Sequence, residues 1–219
     1  MKTIFVTSSG TDIGKTFVML RLVAELKSAG RRVLALKPVA SGFDAAHADA
    51  SDTMLLLRAQ GLDPANLDAV SPWRLAAPLS PDMAAAREER SIPFDALVAT
   101  CRAAGERGGV TLIEGIGGVM VPLDGEHTVL DWIVALGAPT LLVVGSYLGT
   151  LSHSLTAVTA LRQRGVTVAG IVLSESEVQP VPADETAATL ARFVAPTPVR
   201  VLPRAAPVPL LPLVDPYLE

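Results

Sequence analysis

Residues 8–17, Ser-Ser-Gly-Thr-Asp-Ile-Gly-Lys-Thr-Phe, restrict what this chain can fold into more than any other stretch. An apolar run, Thr3-Ile4-Phe5-Val6-Thr7, enters it. A helical pattern, Phe17, Met19, Leu20, Val23 and Leu26, leaves it. A strand, a glycine-bearing turn, Gly14-Lys15-Thr16 and a helix, in that order, describe a phosphate-binding loop. Backbone N–H groups at such a helix start converge on one point, and the helix dipole favours negative charge there. Lys15 can reach the outer phosphates, and the Thr16 hydroxyl suits a magnesium ion. Counting back from Gly14 to the place of the usual first glycine gives Ser9, with Gly10 beside it. The plainer alternative is a strand–turn–helix in which Gly14 only permits a tight turn.

Composition narrows the partners. The chain has 219 residues, half of them hydrophobic, enough for one sizeable domain with a full core. A net charge of −4 with no basic stripe argues against nucleic acid as the main partner. The single cysteine, Cys101, excludes a disulfide framework or a Cys-rich metal site. It lies in the helical pattern Phe94, Leu97, Val98, Cys101, and so reads as a small buried hydrophobe. The first residues run straight into a strand, without a secretory signal, and no apolar stretch nears the ~20 residues of a membrane span. The expected location is the cytoplasm, with no membrane contact.

Further along, Ala29-Gly30 ends the first helix. A second strand, Val33-Leu34-Ala35-Leu36, ends in Lys37-Pro38-Val39-Ala40-Ser41-Gly42. A lysine there lies on the edge where open α/β sheets bind ligands, or else simply caps the strand in solvent. Residues 43–51 read as a loop with His47 in solvent. Ser51-Asp52 then starts a helix, where Asp52 is either a first-turn carboxylate or a metal ligand. Residues 61–81 are proline-rich and irregular. Helices are expected from Pro81 and over 94–107.

The strand Val110-Thr111-Leu112-Ile113 ends in Glu114-Gly115-Ile116-Gly117-Gly118. A carboxylate at the end of a buried strand is costly unless paired or bound to metal. A helix over 128–136 and a buried strand, 140–145, follow. The exit Ser146-Tyr147-Leu148-Gly149-Thr150-Leu151-Ser152 opens another helix, a second possible anion site, with His153 in its first turn as a packing or capping residue. The strands at about 3–7, 33–37, 110–114, 140–145, 167–173 and 198–202 alternate with helices and are nearly all apolar. The fold class is therefore α/β, a doubly wound, mostly parallel sheet with helices on both faces. Residues 1–219 form a single domain in this reading, and the proline-rich tail, 204–219, wraps the surface.

Taken together, Phe-Val-Thr…Thr-Asp-Ile-Gly-Lys-Thr, Lys37-Pro38-Val39-Ala40-Ser41-Gly42, Ser51-Asp52, Ser80-Pro81, Glu114-Gly115-x-Gly-Gly-x-x-x-Pro-Leu, Leu-Gly-x-x-x-His and Leu-Pro closely resemble dethiobiotin synthetase, over residues 3 to about 204. The resemblance implies a homodimer that uses ATP, Mg2+ and CO2 to close the ureido ring on 7,8-diaminononanoate (7,8-diaminopelargonic acid), giving dethiobiotin, ADP and phosphate. It implies Thr16, Asp52 and Glu114 as magnesium ligands, and Asp12, Ile13, Gly14, Lys15, Thr16 and Phe17 at the nucleotide phosphates. Thr11, Lys37 and Ser41 would face the carbamate and diamine, with Lys37, Lys15 and Thr11 in catalysis. Gly115, Ile116 and Gly117 would approach nucleotide and diamine, and Pro203 the base. Gly149, Thr150, Leu151 and Ser152 would receive the substrate carboxylate across the dimer interface.

This chain departs from the family pattern in places. Ser8-Ser9-Gly10 stands for the usual Gly-Thr-Asp, predicting an altered loop backbone with phosphate binding retained. Asp12 is shorter than the usual Glu. Ser174-Glu175 stands for the Asn-Asp that contacts adenine, which predicts weaker base selectivity because serine lacks the paired amide donor and acceptor. Asp82 stands where the family commonly has His. The alternative function is a nucleotide-switched partitioning or regulatory ATPase. Such proteins carry an extra early lysine in the loop, where this chain has Ser8, Ser9 and Gly10, and they give no reason for Lys37 to Gly42.

Overall fold

The computed structural model describes residues 2–206 and 208–218. The strands are β1 (Thr3–Ser8), β2 (Val33–Leu36), β3 (Val39–Ser41), β4 (Trp73–Leu75), β5 (Val110–Glu114), β6 (Thr140–Gly145), β7 (Val168–Ser174) and β8 (Val199–Leu202). The helices are α1 (Lys15–Ser28), α2 (Asp52–Gln60), α3 (Leu67–Val70), α4 (Pro81–Arg87), α5 (Phe94–Gly105), α6 (Val129–Leu136), α7 (Thr150–Gln163), α8 (Ala183–Val194) and α9 (Leu211–Val214). Six strands form one parallel sheet in the order β2-β5-β1-β6-β7-β8. The doubly wound parallel sheet expected from the apolar runs is the sheet that forms.

Alternation along β1 divides the core. Ile4 and Val6 face α1 with Val18, Met19, Leu22 and Val23. Phe5 faces the other layer and meets Trp132 of α6 edge-on, with ring centroids 4.8 Å apart. Each of these fully buried side chains contributes about 1.5–3 kcal/mol of apolar burial. Cys101 is fully buried in the second layer, and burial pushes its thiol up to about 12, as suits a packing residue.

Register positions the chemistry. Val6 of β1 lies opposite Glu114, and Leu36 of β2 lies opposite Ile113 of β5. Lys37, one residue beyond Leu36, therefore emerges beside Glu114.

Two expectations need correction. Residues 39–41 and 73–75 form a separate two-stranded parallel sheet, β3 with β4, where the sequence read as loop. The runs are three residues long, each directly preceded by a proline, Pro38 or Pro72, so they are too short to show a strand's period. The tail also does more than wrap the surface. Leu210, Leu213, Val214 and Leu218 are buried against the α1 layer, and the Glu25 carboxylate accepts from the Leu210 and Leu211 N–H groups at 2.9 and 2.7 Å. Arg31 pairs with Asp215 at 2.6 Å. Prolines hide this short apolar spacing from a helical-period reading.

Candidate active site

The loop leaves β1 at Ser8 and turns through Asp12, at φ 56°, and Gly14, at φ 94°. Both are left-handed. A Cβ at Gly14 would also meet the Ser174 hydroxyl at 2.8 Å, so only glycine fits there. Gly14 is the N-cap residue of α1, which begins at Lys15. The altered start, Ser8-Ser9-Gly10, thus still delivers a phosphate-type loop, packed so closely on the glycine turn after β5 that a Cβ at Gly118 would lie 3.2 Å from the Gly10 nitrogen.

The charged centre lies at the ends of β2, β5 and β1. Glu114 has no exposure. Its Oε1 accepts from the Thr16 hydroxyl at 2.7 Å and from Lys37 Nζ at 3.0 Å, while its Oε2 is buried without a partner. Lys37 also pairs with Asp52. Asp52 opens α2, where the Ser51 hydroxyl accepts from the Met54 N–H, and its side chain is half exposed. Burial works against the Lys37 charge, but Glu114 first and then Asp52 outweigh it and raise its pKa. The ammonium form of Lys37 is thereby favoured. Burial works against the Asp52 carboxylate too, but Lys37 outweighs it and holds the group below its usual range. Lys15 is nearly buried, and burial pushes it down to about 8.

A cavity of about 500 Å3 opens over these groups. It is lined by Thr11 through Phe17, Lys37, Ser41, Asp52 and Glu114 through Gly117, with Leu20 and Leu55. Every residue assigned from sequence to phosphate, metal or carbamate is thus brought into one space. The donor set suits magnesium: a hydroxyl and two carboxylates, all hard oxygens, with one buried carboxylate oxygen unclaimed. A second cavity of about 430 Å3 adjoins at Gly14 and Phe17, lined by Ser174 through Glu177, Leu202, Pro203 and Arg204. Pro203 lies in the wall of this second cavity. Both Glu175 oxygens are already engaged, by the Arg204 backbone N–H at 2.9 Å and by Gln179 at 3.1 Å.

Gly149, Thr150, Leu151 and Ser152 line neither cavity. They start α7, with Gly149 left-handed at φ 96°. The Thr150 side chain is turned inward, its hydroxyl donating to Gly145 O at 2.7 Å and its N–H to Tyr147 O at 3.1 Å, which leaves the first-turn N–H groups of Leu151 and Ser152 and the exposed Ser152 hydroxyl for an anion. His153 bonds the Tyr147 hydroxyl at 2.9 Å, beside a further cavity bounded by residues 9–13 of the loop. Ser8 was passed over in the sequence reading as a departure only. Its hydroxyl lies 3.0 Å from Lys15 Nζ and 2.8 Å from Gly117 O. A hydroxyl at the last strand position before the loop was the available signal.

Two relatives at 50% identity are ATP-dependent dethiobiotin synthetases. One is from Acidiphilium cryptum (strain JF-5), matched over 203 residues, 90% of this chain and 91% of its own. The other is from Caulobacter sp. (strain K31), matched over 93% of this chain and 89% of its own. The chain belongs to the dethiobiotin synthetase family. A family profile described as an AAA domain also matches residues 2–217. Among solved structures, MinD in the MinC:MinD cell division complex of Aquifex aeolicus covers 99% of this chain and 86% of its own at 12% identity and TM-score 0.56. The Pyrococcus furiosus cell division ATPase MinD covers 93% and 84% at 16% identity and TM-score 0.53. At those identities the likeness is one of fold. In this chain the Lys37–Glu114–Thr16 cluster lies where the loop of residues 8–17 meets the segment Lys37 to Gly42.

Proposed function

We propose that this protein is an ATP-dependent dethiobiotin synthase, a cyclo-ligase of biotin biosynthesis acting on 7,8-diaminononanoate and CO2. The observation that carries this reading is the grouping of Lys15, Lys37, Glu114 and Thr16 around one cavity, in a chain half identical to dethiobiotin synthetases along nearly its whole length. One substrate amine takes up CO2 as a carbamate. A carbamate oxygen attacks the γ-phosphate and ADP leaves, giving a carbamic–phosphoric anhydride. The second amine attacks the anhydride carbonyl, phosphate departs, and the ring closes with loss of the amine protons.

Carbamate and triphosphate are both anions, so holding them together requires fixed cations. Lys37, kept charged by two carboxylates, orients the carbamate beside Thr11 and Ser41. Lys15 and the residues 12–17 backbone hold the phosphates. Thr16, Asp52 and Glu114 would hold Mg2+, which supplies charge neutralisation at the phosphates when bound. Gly115 through Gly117 let backbone approach nucleotide and diamine, and Pro203 flanks the base. Positioning carries most of the acceleration, as in phosphoryl transfer generally. The α7 start, Gly149 through Ser152, lines neither cavity, in keeping with a homodimer in which it serves the carboxylate of a substrate held by the other copy. No helix among the described residues is long and apolar enough to cross a membrane, in keeping with a cytoplasmic enzyme.

The test is phosphate release from Mg-ATP and bicarbonate with and without the diamine, with dethiobiotin measured by mass spectrometry. Diamine-dependent release with dethiobiotin formed one for one is expected. Release indifferent to the diamine would sink the proposal and favour the nucleotide-switched ATPase.

A further inference from the structure

The hydroxyl of Ser8 touches both loops of the site and Lys15. Ser8 ends β1 with no exposure. Its Oγ lies within hydrogen-bonding reach of Gly10 O, 2.8 Å from Gly117 O and 3.0 Å from Lys15 Nζ. A serine hydroxyl has one hydrogen and two lone pairs. It donates to one of the two carbonyls at a time and accepts from the lysine. The same strand end is pinned to the glycine turn through its backbone, since Val119 N–H donates to Ser8 O at 3.0 Å.

Lys15 has three N–H donors. Ser8 Oγ takes one and Gly10 O, at 3.4 Å, takes another, leaving one for the cavity. An ammonium on a four-carbon stem otherwise loses substantial rotamer freedom when it meets a ligand. We infer that Ser8 is a positioning residue: its hydroxyl, anchored by the Gly10 and Gly117 carbonyls, holds the Lys15 ammonium where the nucleotide phosphates arrive and couples that point to the turn after β5. The proposal deepens the reading of the cavity as a nucleoside triphosphate site and rests on that reading. It does not depend on which acceptor the phosphate later reaches.

The experiment is equilibrium binding of the Mg2+ complex of a non-hydrolysable ATP analogue, without diamine, so that it stands apart from dethiobiotin formation. Ser8→Ala is measured in the native background and in Lys15→Met. Ser8→Gly, which removes the hydroxyl without placing a methyl against two carbonyl oxygens, is measured beside it. In the native background Ser8→Ala is expected to weaken binding roughly tenfold, the size of one hydrogen bond to a charged group, with Ser8→Gly moving the same way. In the Lys15→Met background the same change is expected to cost less than about twofold, because the group Ser8 acts through is gone. Equal losses in both backgrounds would mean that Ser8 only shapes the backbone, and no loss in the native background would mean that Lys15 needs no such support. Either result overturns the proposal.

Discussion

Replacing Lys37 with Met separates two roles that this side chain combines. The stem remains and the charge goes. Glu114, fully buried, then loses its ammonium at 3.0 Å and keeps only the Thr16 hydroxyl at 2.7 Å. Removing one partner of a buried ion pair costs about 3–5 kcal/mol. The retained hydroxyl, and Asp52 released toward water, put the loss at the lower end, about 3 kcal/mol. In a chain of this size each kcal/mol moves the melting temperature by about 2–4 °C, so scanning calorimetry should record a fall of roughly 6–12 °C. Glu114→Gln in the same chain removes the stranded charge, and the double variant should be clearly less destabilised than the two single losses added together. Activity should not follow. Diamine-dependent phosphate release should fall about 10²–10³-fold in Lys37→Met, the usual cost of one preorganised electrostatic contact, and stay low in the double variant. A Lys37→Met melting point within about 2 °C of the parent would refute the buried-pair argument. Activity regained with the second substitution would refute the role of Lys37 at the carbamate.

Burial pushes Lys15 down to about 8, so the nucleotide-free protein loses this charge as pH rises through that value. Nucleotide affinity, by titration calorimetry, should therefore weaken about tenfold per pH unit above 8, and Lys15→Met should abolish that slope while leaving affinity low throughout. At the second cavity Glu175 is charged, its carboxyl held below the usual range by the Arg204 N–H and then by Gln179, and both oxygens are spent. Turnover with CTP and GTP should consequently come within about fivefold of ATP, a gap near 1 kcal/mol; strict ATP dependence measured by dethiobiotin yield would remove the idea. Leu213→Ala should destabilise by about 2–5 kcal/mol in chemical denaturation, since Leu213 is buried against Gly170. A change under about 0.5 kcal/mol would show the tail to be merely laid on the surface.

The strands of the main sheet were legible because each is a largely apolar run, and Lys37 and Glu114 because each sits at the end of such a run. Lys37 beside Glu114 follows once β2 and β5 are neighbours, which a sequence implies only through resemblance. What stayed hidden depends on long-range partners. The β3–β4 pair joins segments too short to carry a period. The docking of Leu210 to Leu218 relies on Glu25, far away in sequence, for its caps. The role of Ser8 needs the Gly117 carbonyl, supplied by a turn more than a hundred residues later. The inward turn of Thr150 is set by a carbonyl five residues back, and the motif alone gave no hint of it.

The order β2-β5-β1 makes the sheet a ruler. Lys37, Glu114 and the Ser8–Lys15 loop issue from adjacent strands about 4.8 Å apart, so their separations are fixed by the ladder and not by the chain between them. Length changes in the long excursion between β4 and β5 can therefore be absorbed without moving a charge. Asp52 is the exception. It hangs from α2, reached through the excursion at 43–51, and is the one carboxylate of the cluster that stands half in solvent. Changes of length before Asp52 would shift it against marks that stay still, which makes that short segment the place where the spacing of this site can be tuned.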